Sequence, residues 1–505
     1  MTLSIGLDFG TSNSSAAVWN GRNAEIIEMP DGSKSLPSIV SIVDGYILVG
    51  EEALEKGRQN RRYMFRHFKR RMGEAYQEAS DSGWQTMAGP DGMVAWKGPT
   101  NAAGEETIYT TVELASYIIR ELLNAAEAKL GERPTVAVVT IPADAGEAQR
   151  AATIEAAKLA GLERVELMHE PTAAALAYGF DFAKPRRIAV VDHGGGTLDV
   201  SLIQTGKGRN DHALVEVKAT DGRRKGLGGM DFDRHLAAYL TRSLIAHNPE
   251  ADISADPAAM ERVMEAAEAA KIRLSGKPDT TVRVADIYTD REGVSQALEE
   301  VIDLPTFGAV CADLTDDIAA ICKRLVDKAR EKDPNFSVLD INDVVLVGGM
   351  TRSPIVRQAV RTVFGREPRK DINPEDAVAM GAAIAAARLI GSKTGLTVRQ
   401  MTTQGYAVKT IHGVAAEIFG PGTSYPVKRE VTIANANDDQ TALSLTLLEG
   451  SDMRAAMCNV LARHRHVLEA PAPAKTKGLK LTCQIDESGR FSVEAADGWR
   501  FDGAA

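Results

Sequence analysis

The chain has 505 residues, 44% of them hydrophobic and 25% charged, which is the balance of a soluble globular protein with length for two to four domains. A net charge of −10 excludes a general nucleic-acid binder, whose affinity rests on basic residues neutralising phosphates; the cluster RRYMFRHFKRR (61–71) is the one basic exception. No apolar run is long enough to cross a membrane and Asp8 interrupts any apolar leader, while four cysteines (Cys311, Cys322, Cys458, Cys483) without a CxxC pair fit a reducing, cytoplasmic setting.

In chain order, LSIGLDFGTSNSSAAVWNGRN (3–23) reads as strand, Asp8, a Gly-Thr-Ser turn, strand. TVAVVTIPADAGEAQRAATIEAAKLAGL (135–162) follows as a β-branched buried strand and an amphipathic helix. PTAAALAYG (171–179) is a helix of small residues. The same three elements then recur in the same order: VVDHGGGTLDVSLI (190–203), NDVVLVGGMTRSPIVRQAVRTVFG (342–365) and PEDAVAMG (374–381). After residue 390 the pattern changes. GSKTGLTVRQMTTQG (391–405) reads as a polar join. Alternating strands follow at EVTIAN (430–435), TALSLTLLEG (441–450) and GLKLTCQIDESGRFSVEAAD (478–497), the last a hairpin turning at Glu487-Ser488-Gly489. PAPAK (471–475) reads as loop.

Three glycines between two strands free the backbone N–H groups to wrap an anion. Asp192 and Asp199 bracket them and would repel that anion unless a cation came with it, so the stretch reads as a phosphate–Mg²⁺ hairpin. It reads equally well as an ordinary turn, since Asp and Gly are common turn residues. The internal repeat adds to the first reading. Two similar α/β halves, each with a glycine hairpin, can clamp the phosphates of one nucleotide in a shared cleft. A Walker-type GxxxxGK[ST] loop is absent, which excludes the P-loop solution.

The stretches IGLDFGTSNS, KRRMG, VVTIPA, QR, HEPTAAALAYG, VVDHGGGTLDVS, LGGMDFD, VVLVGGMTRSPIV and INPEDAVAMGAA run in order over residues 3–387. In them the chain resembles the seventy-kilodalton heat-shock chaperones of the DnaK type, in the actin-like ATPase superfamily. LLEGSDMRAAMCN and LTCQIDESGRFSV extend a fainter likeness to the C-terminal part. The resemblance implies an α/β fold: a duplicated actin-like ATPase domain with two lobes around a nucleotide cleft (1–390), a linker (391–402), and a small all-β sandwich (403–505) that binds substrate or partner without a helical lid. It implies ATP/ADP and Mg²⁺ as cofactors.

Residue roles follow from the same resemblance. Asp8 and Asp192 would hold the waters around Mg²⁺. Gly10, Thr11, Ser12, Asn13, Gly194, Gly195, Gly196 and Thr197 would contact phosphates, Thr197 also serving catalysis. Glu170 and Asp199 would position the attacking water or accept its proton, and Lys69 would steady the γ-phosphate. Phosphoryl transfer needs such placement and charge stabilisation more than a strong nucleophile. Adenosine would lie against Gly348, Gly349, Met350 and Arg352, facing Glu268, Lys271, Ile272 and Ser275, with Gly228 and Gly229 completing the nucleotide set. Pro142 and Arg150 match the family's interdomain switch proline and relay arginine.

Several positions depart from the family. Ile272 replaces an arginine over the adenine face, which removes a cation–π contribution of about 0.5–2 kcal/mol. His169 and His193 flank the proposed catalytic acids, so turnover sensitive to pH near neutrality is one expectation and simple drift the other. Glu166 replaces the arginine that receives J-domain cochaperones, so an ordinary J-domain partner is expected to bind poorly. GLTVRQM lacks the acidic-leucine linker run, Asp144-Ala145 replaces Tyr-Phe after Pro142-Ala143, and the chain ends near residue 500 without a lid or acidic tail.

The favoured reading is an ATP-hydrolysing chaperone that controls a polypeptide client, with a nucleotide-exchange factor as a further partner and no nucleic acid or membrane. The alternative is an ATP-switched scaffold binding one folded partner. A small-molecule kinase or a filament protein suits LGGMDFD, KRRMG and the β-tail poorly.

Overall fold

A computed structural model describes residues 3–503 except 78–85, 101–103, 179–183, 208–212, 224–225, 250, 392–395, 469, 472 and 477, so Gly179 of the small-residue helix and part of the expected join lie outside the described residues. The chain divides into two compact units: residues 1–186, 203–219 and 376–505, and residues 187–202 and 220–375.

In the first unit, Ser4–Asp8 pairs in parallel with Val136–Ile141, which pairs in parallel with Arg164–His169. Asn13–Trp19 returns antiparallel beside Ser4–Asp8. All six residues of Val136–Ile141 are buried, the reason the run is apolar throughout rather than alternating. Helix Thr111–Leu130 covers this sheet with Leu114, Ile118, Leu122 and Leu123, in one core with Leu7 and Val139. It starts at a capping box, Thr110 with Glu113, and stops at Gly131, whose φ of 78° suits a glycine.

The two small-residue helices, Glu170–Ala177 and Ala377–Leu389, pack on each other. A Cβ on Gly381 would lie 1.7 Å from the Ala173 carbonyl oxygen, and one on Gly6 would lie 2.1 Å from the Ala383 nitrogen. Alanine and glycine stand there because backbone meets backbone.

The second unit repeats the pairing rule. Arg186–His193, leading into the glycine run, pairs in parallel with Asp343–Val347, Asp192 opposite Val347. The helices Gly229–His247, Pro257–Leu274, Ala312–Lys332 and Pro354–Phe364 surround a core that includes Val190, Val345, Phe232 and Ile318. Asp256 caps Pro257–Leu274 by accepting from two backbone N–H groups, with proline as the first helical residue. In each unit, then, the strand before a glycine turn lies beside the later buried strand, as the sequence repeat implies.

The C-terminal part of the first unit is a sandwich of two four-stranded antiparallel sheets. One sheet orders Ala415–Phe419, Tyr406–Lys409, Ala442–Glu449 and Asn459–Val467; the other orders Val427–Ala434, Gly478–Ile485, Phe491–Ala495 and Arg500–Asp502. The hairpin expected at residues 487–489 is present, Gly489 taking φ 76°. The expected join differs from a plain connector: Leu396–Met401 forms a strand, parallel to Ala213–Glu216 and antiparallel to Ser424–Tyr425. Its hydrogen bonds come from tertiary partners, which a local reading of its polar composition misses.

Gly381→Ala is expected to lower stability by about 1–3 kcal/mol, because the clash is with backbone that cannot rotate away. Gly276→Ala, where nothing lies within 4 Å of the new methyl, serves as the control. Urea midpoints for the two variants check this; equal midpoints would show that the helix pair can separate at no cost.

Candidate functional site

In the first unit, Asp8 ends its strand and accepts a hydrogen bond from Thr140 Oγ1 at 3.0 Å. The turn after it is tight. Gly10 N–H donates to Ser14 Oγ at 3.0 Å, and a Cβ on Gly10 would lie 1.9 Å from the Asn13 carbonyl oxygen. Thr11, Ser12 and Asn13 lie on this turn.

Lys69 sits in a short 3₁₀ turn, Phe68–Arg71, anchored by Phe68 against Phe9 and Trp96. Its Nζ meets Glu170 Oε1 at 2.7 Å, both side chains nearly buried, and lies 5.6 Å from the Phe9 ring centre. Burial and the nearby Glu170 charge push the Asp8 carboxyl up to about 7, against the pull of Lys69 and Thr140. Two carboxylates thus share one lysine, a donor set short of positive charge. A cation beside Asp8 would supply it.

In the second unit, buried Asp192 is the last residue but one of its strand and the glycines turn after His193, with Gly194 N–H donating to the Thr197 carbonyl at 3.2 Å. The start of helix Gly229–His247 closes on this turn through Gly229 N–H to the Gly194 carbonyl and Met230 N–H to the Gly195 carbonyl, both 3.0 Å. A Cβ on Gly228 would lie 2.5 Å from Gly196 Cα, and one on Gly348 (φ 82°) 2.5 Å from the His193 carbonyl oxygen. A Cβ on Gly194 would meet nothing within 4 Å. Three glycine segments, 194–196, 228–229 and 348–349, therefore meet backbone to backbone, and Gly194 keeps an open side. Asp199 is buried on the outgoing strand.

The adenosine residues expected on Pro257–Leu274 divide. Lys271 is buried, its Nζ donating to Asp233 Oδ2 at 2.8 Å and to the Gly229 carbonyl at 3.2 Å. Ile272 is 62% exposed and Arg273 turns away to Thr280 Oγ1 at 2.7 Å. Ser275 is the C-cap, one residue past the helix, its hydroxyl donating to the Lys271 carbonyl. Arg352 pairs with Glu375 at 2.8 Å, near Gly349, whose Cβ would lie 3.4 Å from that glutamate. Met350 packs on Gly229. Glu268 lies on the Lys271 helix and adds to the push that raises Asp233 to about 6, burial being the largest cause.

The expectation of histidines titrating near neutrality beside the acids is not met at His193. Burial holds it down to about 4, the Leu227 carbonyl contact opposing and Lys271 adding. His169 is likewise held well below 6.5, by burial first and by Arg150 second. Glu166 pairs with Arg388 at 2.6 Å and with Arg164 at 3.5 Å.

A second set of residues, outside the sequence reading except for Arg150 and His169, joins the sandwich to the sheet within the first unit. His169 Nε2 accepts from Arg150 and from the Tyr425 hydroxyl, each at 3.1 Å, and its backbone N–H donates to Gln400 Oε1 at 2.6 Å. Arg150 also donates to the Ser488 carbonyl at 2.9 Å, and Leu167 N–H to Ser488 Oγ at 3.1 Å. Fully buried Glu147 accepts from the Tyr406 hydroxyl and the Phe491 N–H, while its own N–H donates to Glu449. The three-residue spacing of Glu147 and Arg150 on one helix face is the only local sign of this contact. Its partners, some 250–340 residues on, carry none.

Each unit thus sets a glycine-containing turn next to an acid at or near a strand end, Asp8 in one and Asp192 in the other. The family model described as Hsp70 protein matches residues 4–500, and the chain belongs to the Hsp70 family. It is thereby a DnaK-like ATP-dependent chaperone and an ATP hydrolase of that family, whose members bind ATP with Mg²⁺. The residues fit that group, on two observations given above: the charge deficit at Asp8 and the open side of the glycine cradle.

Two predictions follow from this geometry. Lys69→Ala is expected to keep nucleotide binding and lose hydrolysis by about 10²-fold, since a lysine at the reacting phosphate acts on developing charge. Fluorescent-nucleotide titration and single-turnover rates check it, and unchanged turnover refutes it.

The sandwich contact carries two opposing pH terms. His169, held below 6.5, stabilises the contact above that pH and loses it as pH falls. Glu147, raised to about 7 by burial first, with Arg150 and the Phe491 N–H opposing, favours the contact below the ordinary 4.5 and weakens it as pH rises to 7. Between these limits the two slopes oppose each other. Glu147→Gln should expose the histidine term, with tryptic protection of Arg399 falling as pH drops below 6.5. His169→Asn should expose the opposite slope. Flat profiles in both variants would remove these groups from the contact.

Proposed function

We propose that this chain turns over Mg-ATP at the residues just described and passes its state to the β-sandwich through His169. In this reading Asp8 and Asp192 hold Mg²⁺ through water. The turns Gly10–Asn13 and Gly194–Thr197, with Gly228 and Gly229, hold the phosphates. Magnesium, when bound, offsets charge on the phosphate oxygens. Glu170 and Asp199 orient water, Thr197 assists, and Lys69 steadies the transferred group. Glu268, Lys271, Ile272, Ser275, Gly348, Gly349, Met350 and Arg352 receive adenosine, Lys271 through its alkyl stem because its Nζ is already bonded to Asp233 and Gly229.

One observation carries the coupling. Glu170, paired with Lys69, directly follows His169, and His169 is hydrogen-bonded to Tyr425 and Gln400. A client that shifts the sandwich strands pulls on the residue covalently attached to Glu170.

We further propose a polypeptide client, a nucleotide-exchange factor and a cytoplasmic setting. Burial pushes the Cys311, Cys322 and Cys483 thiols up to about 12, which suits a reducing compartment where they stay unreactive. Among the described residues no helix is long and apolar enough to cross a membrane. An ordinary J-domain meets Glu166 where the resemblance implies arginine, with Arg388 and Arg164 both paired to that acid.

Single-turnover ATP hydrolysis by the full-length protein, with and without a saturating extended apolar peptide, tests this. Faster turnover with peptide is expected, and loss of that response in Tyr425→Phe would assign it to the His169 contact. Turnover that ignores the peptide would favour an ATP-switched scaffold for one folded partner.

A further inference from the structure

The edge strand Asn459–Val467 lies antiparallel to Ala442–Glu449, with His464 opposite Leu445 and His466 opposite Leu443. Directly paired residues share a face, and Leu443 and Leu445 are buried in the sandwich core. His464 and His466 therefore occupy core-facing positions at this edge, next after Ala462 opposite Leu447, while exposed Arg463 and Arg465 alternate onto the other face. A sandwich needs apolar residues at such positions. Two imidazoles there call for a partner.

The partner comes from the opposite sheet. Asp497, in the turn between Phe491–Ala495 and Arg500–Asp502, brings Oδ2 to 2.7 Å from His464 Nε2 and to 2.7 Å from His466 Nδ1. The three ligand atoms lie within 4.8 Å of one another, and the three side chains are only 18–24% exposed. The group is also held in place from outside. Asp497 Oδ1 accepts the Trp499 N–H at 3.1 Å, which leaves Oδ2 aimed at the imidazoles. The Trp499 indole stacks on the His464 ring at 4.7 Å and 10°. Orientation of ligands by such neighbours is the usual support of a metal centre.

We propose that His464, His466 and Asp497 form a binding site for a divalent d-block cation, Zn²⁺ in the first place, that clips the two sheets of the sandwich together at this edge. Two imidazoles and one carboxylate select zinc, nickel, copper or iron over magnesium and calcium, which prefer all-oxygen sets. Zinc takes nitrogen at about 2.0–2.1 Å in near-tetrahedral geometry, which sets neighbouring ligand atoms about 3.3 Å apart, so each 2.7 Å contact to Asp497 has to open by about 0.6 Å to admit it. The partial exposure leaves a coordination position for water. The site is separate from the Mg²⁺ residues Asp8 and Asp192 and takes a different class of cation.

Trp499 supplies the readout. Ni²⁺, which quenches a contacting indole, is titrated into chelator-stripped full-length protein, followed by Zn²⁺ as competitor in the presence of millimolar Mg²⁺. Saturable quenching with one equivalent of Ni²⁺, reversed by Zn²⁺ and not by Mg²⁺, is expected. Asp497→Asn and His466→Gln should each weaken it at least tenfold while ATP turnover is unchanged. Trp499→Phe should abolish the quench yet keep one equivalent of Zn²⁺ binding by calorimetry, which separates loss of the probe from loss of the site. The wild-type titration decides alone if a variant fails to fold. Absence of saturable quenching up to millimolar Ni²⁺, or binding that both ligand variants leave unchanged, overturns the proposal and leaves a hydrogen-bonded His–Asp–His clasp.

Discussion

A charge taken out of water has to be met by another charge, and the first unit is arranged around one such debt. Lys69, Glu170 and Asp8 come from a 3₁₀ turn, a helix start and a strand end, and the lysine cannot satisfy both acids. Removing one member of a buried pair costs about 3–5 kcal/mol, so the three segments hold one another in register. The deficit left at Asp8 is what makes the place receptive to a cation. Stability and function draw here on the same imbalance, and filling the site with apolar residues would settle the first by abolishing the second.

The same constraint explains the polar contact under the sandwich. Glu147 and Arg150 are buried on the face of a helix that could have been apolar. Their hydrogen-bond partners are hydroxyls, backbone groups and an imidazole, with Arg490 as a longer ion pair to Glu147 at 3.9 Å, so the contact is specific in direction but modest in net strength.

Much of this was legible in the sequence, for identifiable reasons. Gly10 after Asp8 and the glycine run after Asp192 announce backbone approaching backbone, and Gly10 against Asn13, Gly228 against Gly196 and Gly348 against His193 show that approach. The small-residue stretches 171–179 and 374–381 announce close helix packing, and Gly381 on Ala173 delivers it. What stayed hidden depends on partners far along the chain. Leu396–Met401 is polar enough to pass for a join until Ala213–Glu216 lies beside it. Glu147 resembles any acid in a first helical turn, since nothing nearby records that Tyr406 and Phe491 will close over it. In ARHRH the alternation is visible, but which face is the core depends on the register with Leu443 and Leu445.

The departures from the family pattern gain a common meaning from this contact. The segment before the sandwich lacks the family's acidic-leucine run, yet Gln400 within it donates no charge and instead accepts the His169 N–H. His169 stands where the family has asparagine, and its ring accepts two donors at once because burial keeps it neutral. Arg150 donates to the Ser488 carbonyl in the hairpin turn of the sandwich. Gln400 and His169 are neutral acceptors that join the sandwich to the residue before Glu170, and contacts between neutral groups depend little on ionic strength. In the reading proposed for this chain, communication runs through these hydrogen bonds to a neutral histidine.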